Sequence, residues 1–320
     1  MNKSKCPVCK SNNTIKYGSR NGVQTYKCNE CGYRFRNDRF PSDNTLWKQY
    51  LFNKQTVSEL ARTYGVSEST IKRHLKNISF SWTQPSLSDG GYVHLDATYW
   101  GHNWGVMLAI DDATGSVLYV DFIKSETNAD FEVAVKSISE RGFDIKGLII
   151  DGKKGLFAMF SKYKIQMCQF HMKQIIKRYL TNNPRLKAAK SLKCLMESLT
   201  ALNKNEFLEA FLSWKTEWQD TLNRRSLLKS GKTQYRHKKL RSAMHSIDFY
   251  LPYLFTYQDP MCEGMPNTNN KIEGIFTDLK KNLNNHSGMS IENRKRFICG
   301  FFLALRKTVD SVQKEGSEKS

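Results

Sequence analysis

Two cysteine pairs near the start of the chain constrain its folding more tightly than any other feature. Cys6-Pro-Val-Cys9 and Cys28-Asn-Glu-Cys31 each set two thiols three positions apart, with a loop of intermediate length between the pairs. Four thiolates in that arrangement close one tetrahedral zinc site. With every ligand position filled by protein the Zn2+ is structural, and it stabilises a segment too small to fold on an apolar core of its own. Residues 1–40 are therefore expected to form a zinc ribbon on Cys6, Cys9, Cys28 and Cys31. Alternating stretches such as Val23-Gln24-Thr25-Tyr26 suit its short strands, and Gly32 suits the tight turn of a knuckle. Tyr33, Arg34, Phe35, Arg36 and Arg39 follow directly and give it a basic, aromatic surface.

Charge narrows the partners. Fifty Lys and Arg against 30 Asp and Glu give the 320-residue chain a net charge of +20, a field that favours a polyanion. The excess is concentrated: residues 1–89 carry +9, residues 160–250 carry +13, and the remainder is slightly negative. Two basic stretches thus flank a near-neutral part that holds the candidate acids. MNKSKCPVCK has no apolar segment behind its basic start, so no signal peptide is expected. The apolar stretch from Phe297 to Leu305 is too short to span a bilayer. Half of the eight cysteines lie in the two pairs, which fits metal binding in a reducing compartment. The expected location is the cytoplasm, on the nucleoid when bound to DNA, with no membrane role.

Residues 43–80 read as three helices. Val57-Ser58-Glu59-Leu60-Ala61-Arg62-Thr63-Tyr64-Gly65-Val66-Ser67 fits the first helix and turn of a helix-turn-helix, with Ala61 small at the crossing, Gly65 in the turn and Ser67 as the next N-cap. Thr70, Lys72, Arg73 and Lys76 are then the residues to face DNA. The bland alternative is a helical pair that only packs. Residues 81–91, rich in Ser and Gly, read as a linker.

From Tyr92 the pattern changes to strands. Tyr92 to Tyr99 alternates, with Val93, Leu95 and Ala97 on one face and His94 and Asp96 on the other. Gly105 to Ile110 and Ser116 to Ile123 follow as strands, then an amphipathic helix over Asn128 to Arg141 and the apolar run Gly147 to Asp151, typical of a buried parallel strand. The expected class is α/β: a mixed sheet over residues 90–310, interrupted by an all-helical block about 180–262 with almost no strand signal.

Three acids in this region suit metal chemistry. Asp96 lies on the first strand, Asp151 ends the fourth where substrates of open α/β sheets bind, and Glu273 lies far downstream. Carboxylates converging from separate elements suit hard divalent cations, and a metal pair can stabilise the attacking and leaving oxygens of an in-line phosphoryl displacement. Each acid also has an ordinary explanation: a polar residue on a half-exposed strand, a turn Asp-Gly, and the N3 member of a capping box whose N-cap is Asn270. Asp111, Asp112 and Asp121 are rival carboxylates in one hairpin, assigned to a turn and a strand interior.

The ordered set His-Leu-Asp96-Ala-Thr-Tyr-Trp, Ile-Ile-Asp151-Gly, Cys168-Gln-Phe-His171 and Thr268-Asn-Asn-Lys-Ile-Glu273 resembles the Mutator-like DDE insertion-sequence transposases, and the front end resembles their zinc-ribbon-bearing bacterial members. The resemblance covers roughly residues 5–310. It implies a ribonuclease H-like catalytic core with an all-helical insertion, two Mg2+ or Mn2+ ions per active site on Asp96, Asp151 and Glu273, and cleavage of double-stranded DNA at terminal inverted repeats. Attack of the freed 3′-hydroxyl on target DNA would follow, with a homodimer or higher oligomer holding two ends together. Cys168 and His171 match the family's CxxH motif, but two ligands do not close a zinc site, and packing or DNA positioning competes with a catalytic role. Lys173 and Lys177 on the next helix, and Arg236 and Lys239 in a basic run, are candidate phosphate contacts. Trp214 and Trp218, four residues apart, are assigned to packing. The rival functions are a DNA-binding regulator derived from such an enzyme and another ribonuclease H-like nuclease.

Overall fold

The computed structural model describes residues 5–20, 23–36, 40–77, 90–101, 104–286 and 288–317. Arg39 and most of the expected linker over 81–91 lie outside them. The chain divides into two compact units: residues 1–80 with 281–297, and residues 81–280 with 298–320.

In the first unit, β1 (Thr14–Arg20), β2 (Val23–Cys28) and β3 (Arg34–Arg36) form an antiparallel sheet in that order. Its small core is Cys6, Cys28 and Phe35, with Tyr26 stacked on Phe35 at 5.9 Å. So few apolar residues cannot hold a ribbon without the metal that the cysteines invite. Three helices follow: α1 (Asp43–Leu51), α2 (Val57–Tyr64) and α3 (Glu68–Asn77). Thr56 and Glu59 form a capping box at the start of α2, and Gly65 ends it in the left-handed region, φ 64°, where a side chain is disfavoured. Ser67 Oγ accepts from the Thr70 N–H at 3.3 Å, the expected cap. Residues 281–297 belong to this unit rather than to the sheet unit. Phe297 packs edge-on against Trp47 and Tyr50, and Arg296 donates to the Lys76 carbonyl at 2.8 Å.

The second unit is mixed α/β. Its five-stranded sheet contains β4 (Gly90–Tyr99), β5 (Gly105–Asp111), β6 (Val117–Ile123), β7 (Asp144–Ile150) and β8 (Lys164–Met167), in the spatial order β6-β5-β4-β7-β8. The first three strands form an antiparallel meander, while β4–β7 and β7–β8 are parallel. Helix α4 (Asn128–Glu140) makes the crossover and buries Phe131, Ala134, Val135 and Ile138. Helices α5 (Lys154–Met159) and α6 (Gln169–Leu180) flank β8. The alternation read along β4 holds: Val93 and Leu95 enter the main core and Ala97 packs against it.

The block beyond α6 is helical, with α7 (Lys187–Glu197), α8 (Lys204–Glu217), α9 (Gln219–Asn223) and α10 (Lys238–Leu254). It is not purely so: β9 (Arg225–Leu227) and β10 (Thr233–Tyr235) form a small hairpin, its rungs reinforced by the Arg225 and Arg241 guanidinium groups at 4.6 and 3.7 Å from the Tyr235 ring. Strands this short leave no readable alternation. Trp214 is buried, stacks on Phe211, and donates to the Ala188 carbonyl and Ser191 Oγ, while Trp218 packs beside the same core. Helices α11 (Asn270–Asn284) and α12 (Ile291–Ser317) complete the chain. No described helix is long and apolar enough to cross a membrane.

Candidate functional site

The register of the two central parallel strands decides where the first two acids stand. His94 pairs with Ile149 across β4 and β7. Asp96, inside β4, and Asp151, just past the end of β7, each lie two positions further on, which brings them to one level of adjacent strands that run roughly 4.8 Å apart. Gly152 follows directly, and a Cβ there would press on the side-chain tips of Ile175 and Met167, at 2.5 and 3.1 Å.

Electrostatics register the crowding. Burial, then the charge of Asp151, push Asp96 up to about 8, with Glu126 and Glu273 adding to the effect against a hydrogen bond from the Ala97 N–H. Glu126 is a fourth carboxylate that the sequence reading missed. Burial and the same Asp151 charge raise it, and Lys153 Nζ lies 3.6 Å from its Oε1. No spacing signal marks Glu126, because it lies in the connection between β6 and α4.

Glu273 joins the site from the first turn of α11. The expected capping box does not form. Asn270 is the first helical residue, not the cap, and the Glu273 Oε1 atom is buried without a hydrogen-bond partner. Its nearest charged neighbour is His171 Nδ1 at 3.7 Å. Among the described residues, the ligand atoms of Cys168, His171 and Glu273 gather within 4.8 Å of one another, whereas the set Asp96, Asp151 and Glu273 does not gather that closely. Cys168 is buried, its thiol pushed up to about 11 by burial, and its Sγ accepts from the Asn269 N–H at 3.2 Å. The CxxH pair therefore touches the segment that carries the third acid.

Asp112 is more than the turn residue expected. Asp111 does hold the turn, accepting from the N–H and hydroxyl of Thr114. Asp112 instead accepts from Lys271 Nζ at 2.7 Å and faces His94 Nε2 at 2.9 Å. These contacts hold its carboxyl below the usual range despite burial. Asp121 is exposed on the edge strand and bonded locally to Phe122 and Tyr119.

The four knuckle cysteines lie within 4.8 Å of one another, Cys6 Sγ at 3.6 Å from Cys31 Sγ and Cys9 Sγ at 3.5 Å from Cys28 Sγ. Those separations are far longer than a disulfide and close to the edge of a tetrahedron of Zn–S bonds, about 3.8 Å. The cluster can hold a metal ion such as zinc. Both knuckles turn alike: Gly32 and Lys10, each following the second cysteine of its pair, have φ 70° and 60°.

Of the candidate phosphate contacts, Lys72, Arg73 and Lys76 are exposed on α3, Lys72 beside Glu68, and Thr70 is half-buried. Lys177, Arg236 and Lys239 are exposed. Lys173 is not free: its Nζ donates to the Glu197 carbonyl and Thr200 Oγ1 at 3.1 and 3.2 Å, tying α6 to the end of α7.

No family model matches the chain, and no curated protein matches it. Among solved structures, a chain of the cryo-EM structure of the simian T-cell lymphotropic virus intasome in complex with PP2A regulatory subunit B56 gamma is 13% identical over 62% of this chain and 72% of that chain, with a TM-score of 0.21. A likeness that slight bears on neither fold nor function.

Proposed function

We propose that the chain is a Mutator-like DDE transposase, which binds the ends of a mobile element and catalyses divalent-metal-dependent cleavage and strand transfer of double-stranded DNA. The observation that carries the reading is the level shared by Asp96 on β4 and Asp151 just past the end of the adjacent parallel strand β7, with Glu273 brought in from a helix start more than a hundred residues away. A meander of three antiparallel strands followed by two parallel ones is compatible with a ribonuclease H-like core.

The acids fit a cation. Asp96 is driven towards its neutral form by burial and then by neighbouring carboxylates, and Glu273 keeps a buried oxygen without a hydrogen-bond partner. Mg2+ or Mn2+ on Asp96, Asp151 and Glu273 would relieve both and supply the charge that stabilises phosphoryl transfer. The chain's own contribution is placement: strands and a helix start are rigid mounts, and the register fixes the two aspartates. The exposed basic faces of α3, α6 and the β9–β10 hairpin suit sequence-independent phosphate contacts, and the α2–α3 pair suits end recognition. The four-cysteine cluster would hold a structural Zn2+.

The test is incubation with Mn2+ and DNA carrying the sequences that flank the coding region. Nicks that expose a 3′-hydroxyl, followed by its joining to a second duplex, support the transposase. Nicking without joining favours another ribonuclease H-like nuclease, and binding without nicking favours a regulator.

A further inference from the structure

Glu273 sits on a segment that is stitched to three separate elements by polar contacts, of which the three made by the Asn269 side chain and N–H are buried. Asn269, fully buried just before α11, is the hub. Its N–H donates to Cys168 Sγ, its Nδ2 donates to the Leu95 carbonyl at 3.3 Å, and its Oδ1 faces His94 Nδ1 at 2.7 Å. Its own carbonyl accepts from the Glu273 N–H at 3.1 Å. His94, also fully buried, uses its other nitrogen on Asp112, and Lys271 closes the ring by donating to the Asp112 carboxylate and carbonyl. Two residues back, Asn267 exchanges two hydrogen bonds with Gln169.

Four polar side chains are an expensive way to fill space under a sheet, since an apolar cluster of the same shape would stabilise the fold at least as well. What the polar ring provides is direction. His94 lies two positions before Asp96 on the same face of β4, and Asn269 lies one helical turn before Glu273. Each hydrogen bond between them therefore fixes the distance and rotation between the first and third acids.

We propose that His94 and Asn269, with Asp112 and Lys271 as their outer support, are positioning residues that set Glu273 against Asp96 for cation binding. The inference rests on the metal-dependent reading above. It assigns Cys168 to the same work, as the acceptor that holds Asn269, in place of a metal-ligand role.

The imidazole permits a test in which the two bonds separate. An asparagine at position 94 carries an N–H donor where Nδ1 stood, and a glutamine carries one where Nε2 stood. His94→Asn should therefore keep the Asn269 bond, and His94→Gln should keep only the Asp112 bond. Four quantities are measured on the full-length protein: Mn2+ binding by electron paramagnetic resonance, cleavage rate at saturating DNA, Kd for DNA, and Tm. Outer residues that orient metal ligands typically matter by 10–100-fold in affinity or activity. His94→Gln is expected to weaken Mn2+ binding roughly tenfold or more and to slow cleavage comparably, with Kd for DNA unchanged, while His94→Asn stays within about threefold of the original chain. Equal losses in both variants, or none in either, overturn the brace.

Lys271→Met covers the case in which the buried variants do not fold, because Lys271 is half exposed. Loss of its positive charge alone would strengthen Mn2+ binding, whereas loss of a support weakens it, so stronger or unchanged binding overturns the brace. An unaltered chain that neither binds Mn2+ nor cuts DNA overturns the proposed function itself, an outcome distinct from both.

Discussion

Replacing Asp96 by asparagine should stabilise the metal-free protein, and the gain should depend on pH. In the folded chain Asp96 is raised from 3.8 to about 8, chiefly by burial and then by Asp151. A raised carboxyl contributes fully below its unfolded value, and that contribution is lost as pH climbs through the folded one. Here the window runs from about pH 4 to about pH 8. At about 1.4 kcal/mol per pK unit the full penalty is bounded at about 6 kcal/mol. Asp96 remains partly open to solvent, so screening leaves about 2–3 kcal/mol of it. Asparagine keeps the shape and never ionises. Above pH 8 in a chelator, Asp96→Asn should raise Tm by roughly 5–10 °C, given roughly 2–4 °C per kcal/mol for a unit of this size. Near pH 4, the unfolded value, the difference should largely vanish. Scanning calorimetry at the two pH values measures it, and adding Mn2+ at high pH should raise Tm only in the chain that retains Asp96. A gain that is absent, or equal at both pH values, would refute the account of crowded carboxylates.

Protein purified without chelator should carry one zinc per chain, and Cys28→Ser should release it and loosen only residues 1–40, as read by metal analysis and hydrogen exchange. Lys10→Gly should stabilise the metal-loaded ribbon by about 1 kcal/mol, because a left-handed residue with a Cβ is costly there; an unchanged or lower melting point would contradict the knuckle geometry. Arg236→Ala should weaken DNA binding and reduce its salt slope by about 1. Lys173→Ala should instead lower Tm with DNA affinity unchanged, since its amine is committed to the end of α7.

What the sequence disclosed was whatever is encoded within one element. Paired cysteines close a local site, and the strict alternation of β4 told which face Asp96 would take. The helical spacing of Trp214 predicts packing, and the residue is buried on Phe211. The rest lay in contacts that join distant residues. Residues 281–297 return to the N-terminal unit because Phe297 finds Trp47 and Tyr50, partners that no local periodicity names. Local sequence predicts a capping box at Asn270, but tertiary contacts override it. Asn269 and its neighbours are spent on β4 and α6, which leaves Glu273 free of the cap. Asp112, which does lie in the turn, and Lys173 carry further contacts for the same reason. A turn aspartate and a helix-face lysine look solvated in sequence, and only the fold reveals His94, Lys271 and the carbonyl of Glu197 beside them.

Asp96, Asp151 and Glu273 are proposed to act as one metal-binding unit, and Glu273→Gln tests this most directly. Glutamine preserves the length, the helix start and the Asn269 contact while removing the charge that would hold a cation. Cleavage of end-sequence DNA in Mn2+ should fall below detection in Glu273→Gln, in Asp151→Asn, and in the double variant alike, with DNA binding retained. Asp121→Asn, on the exposed edge strand, should cut normally. Wild-type rates of cleavage and joining in Glu273→Gln would contradict the assignment.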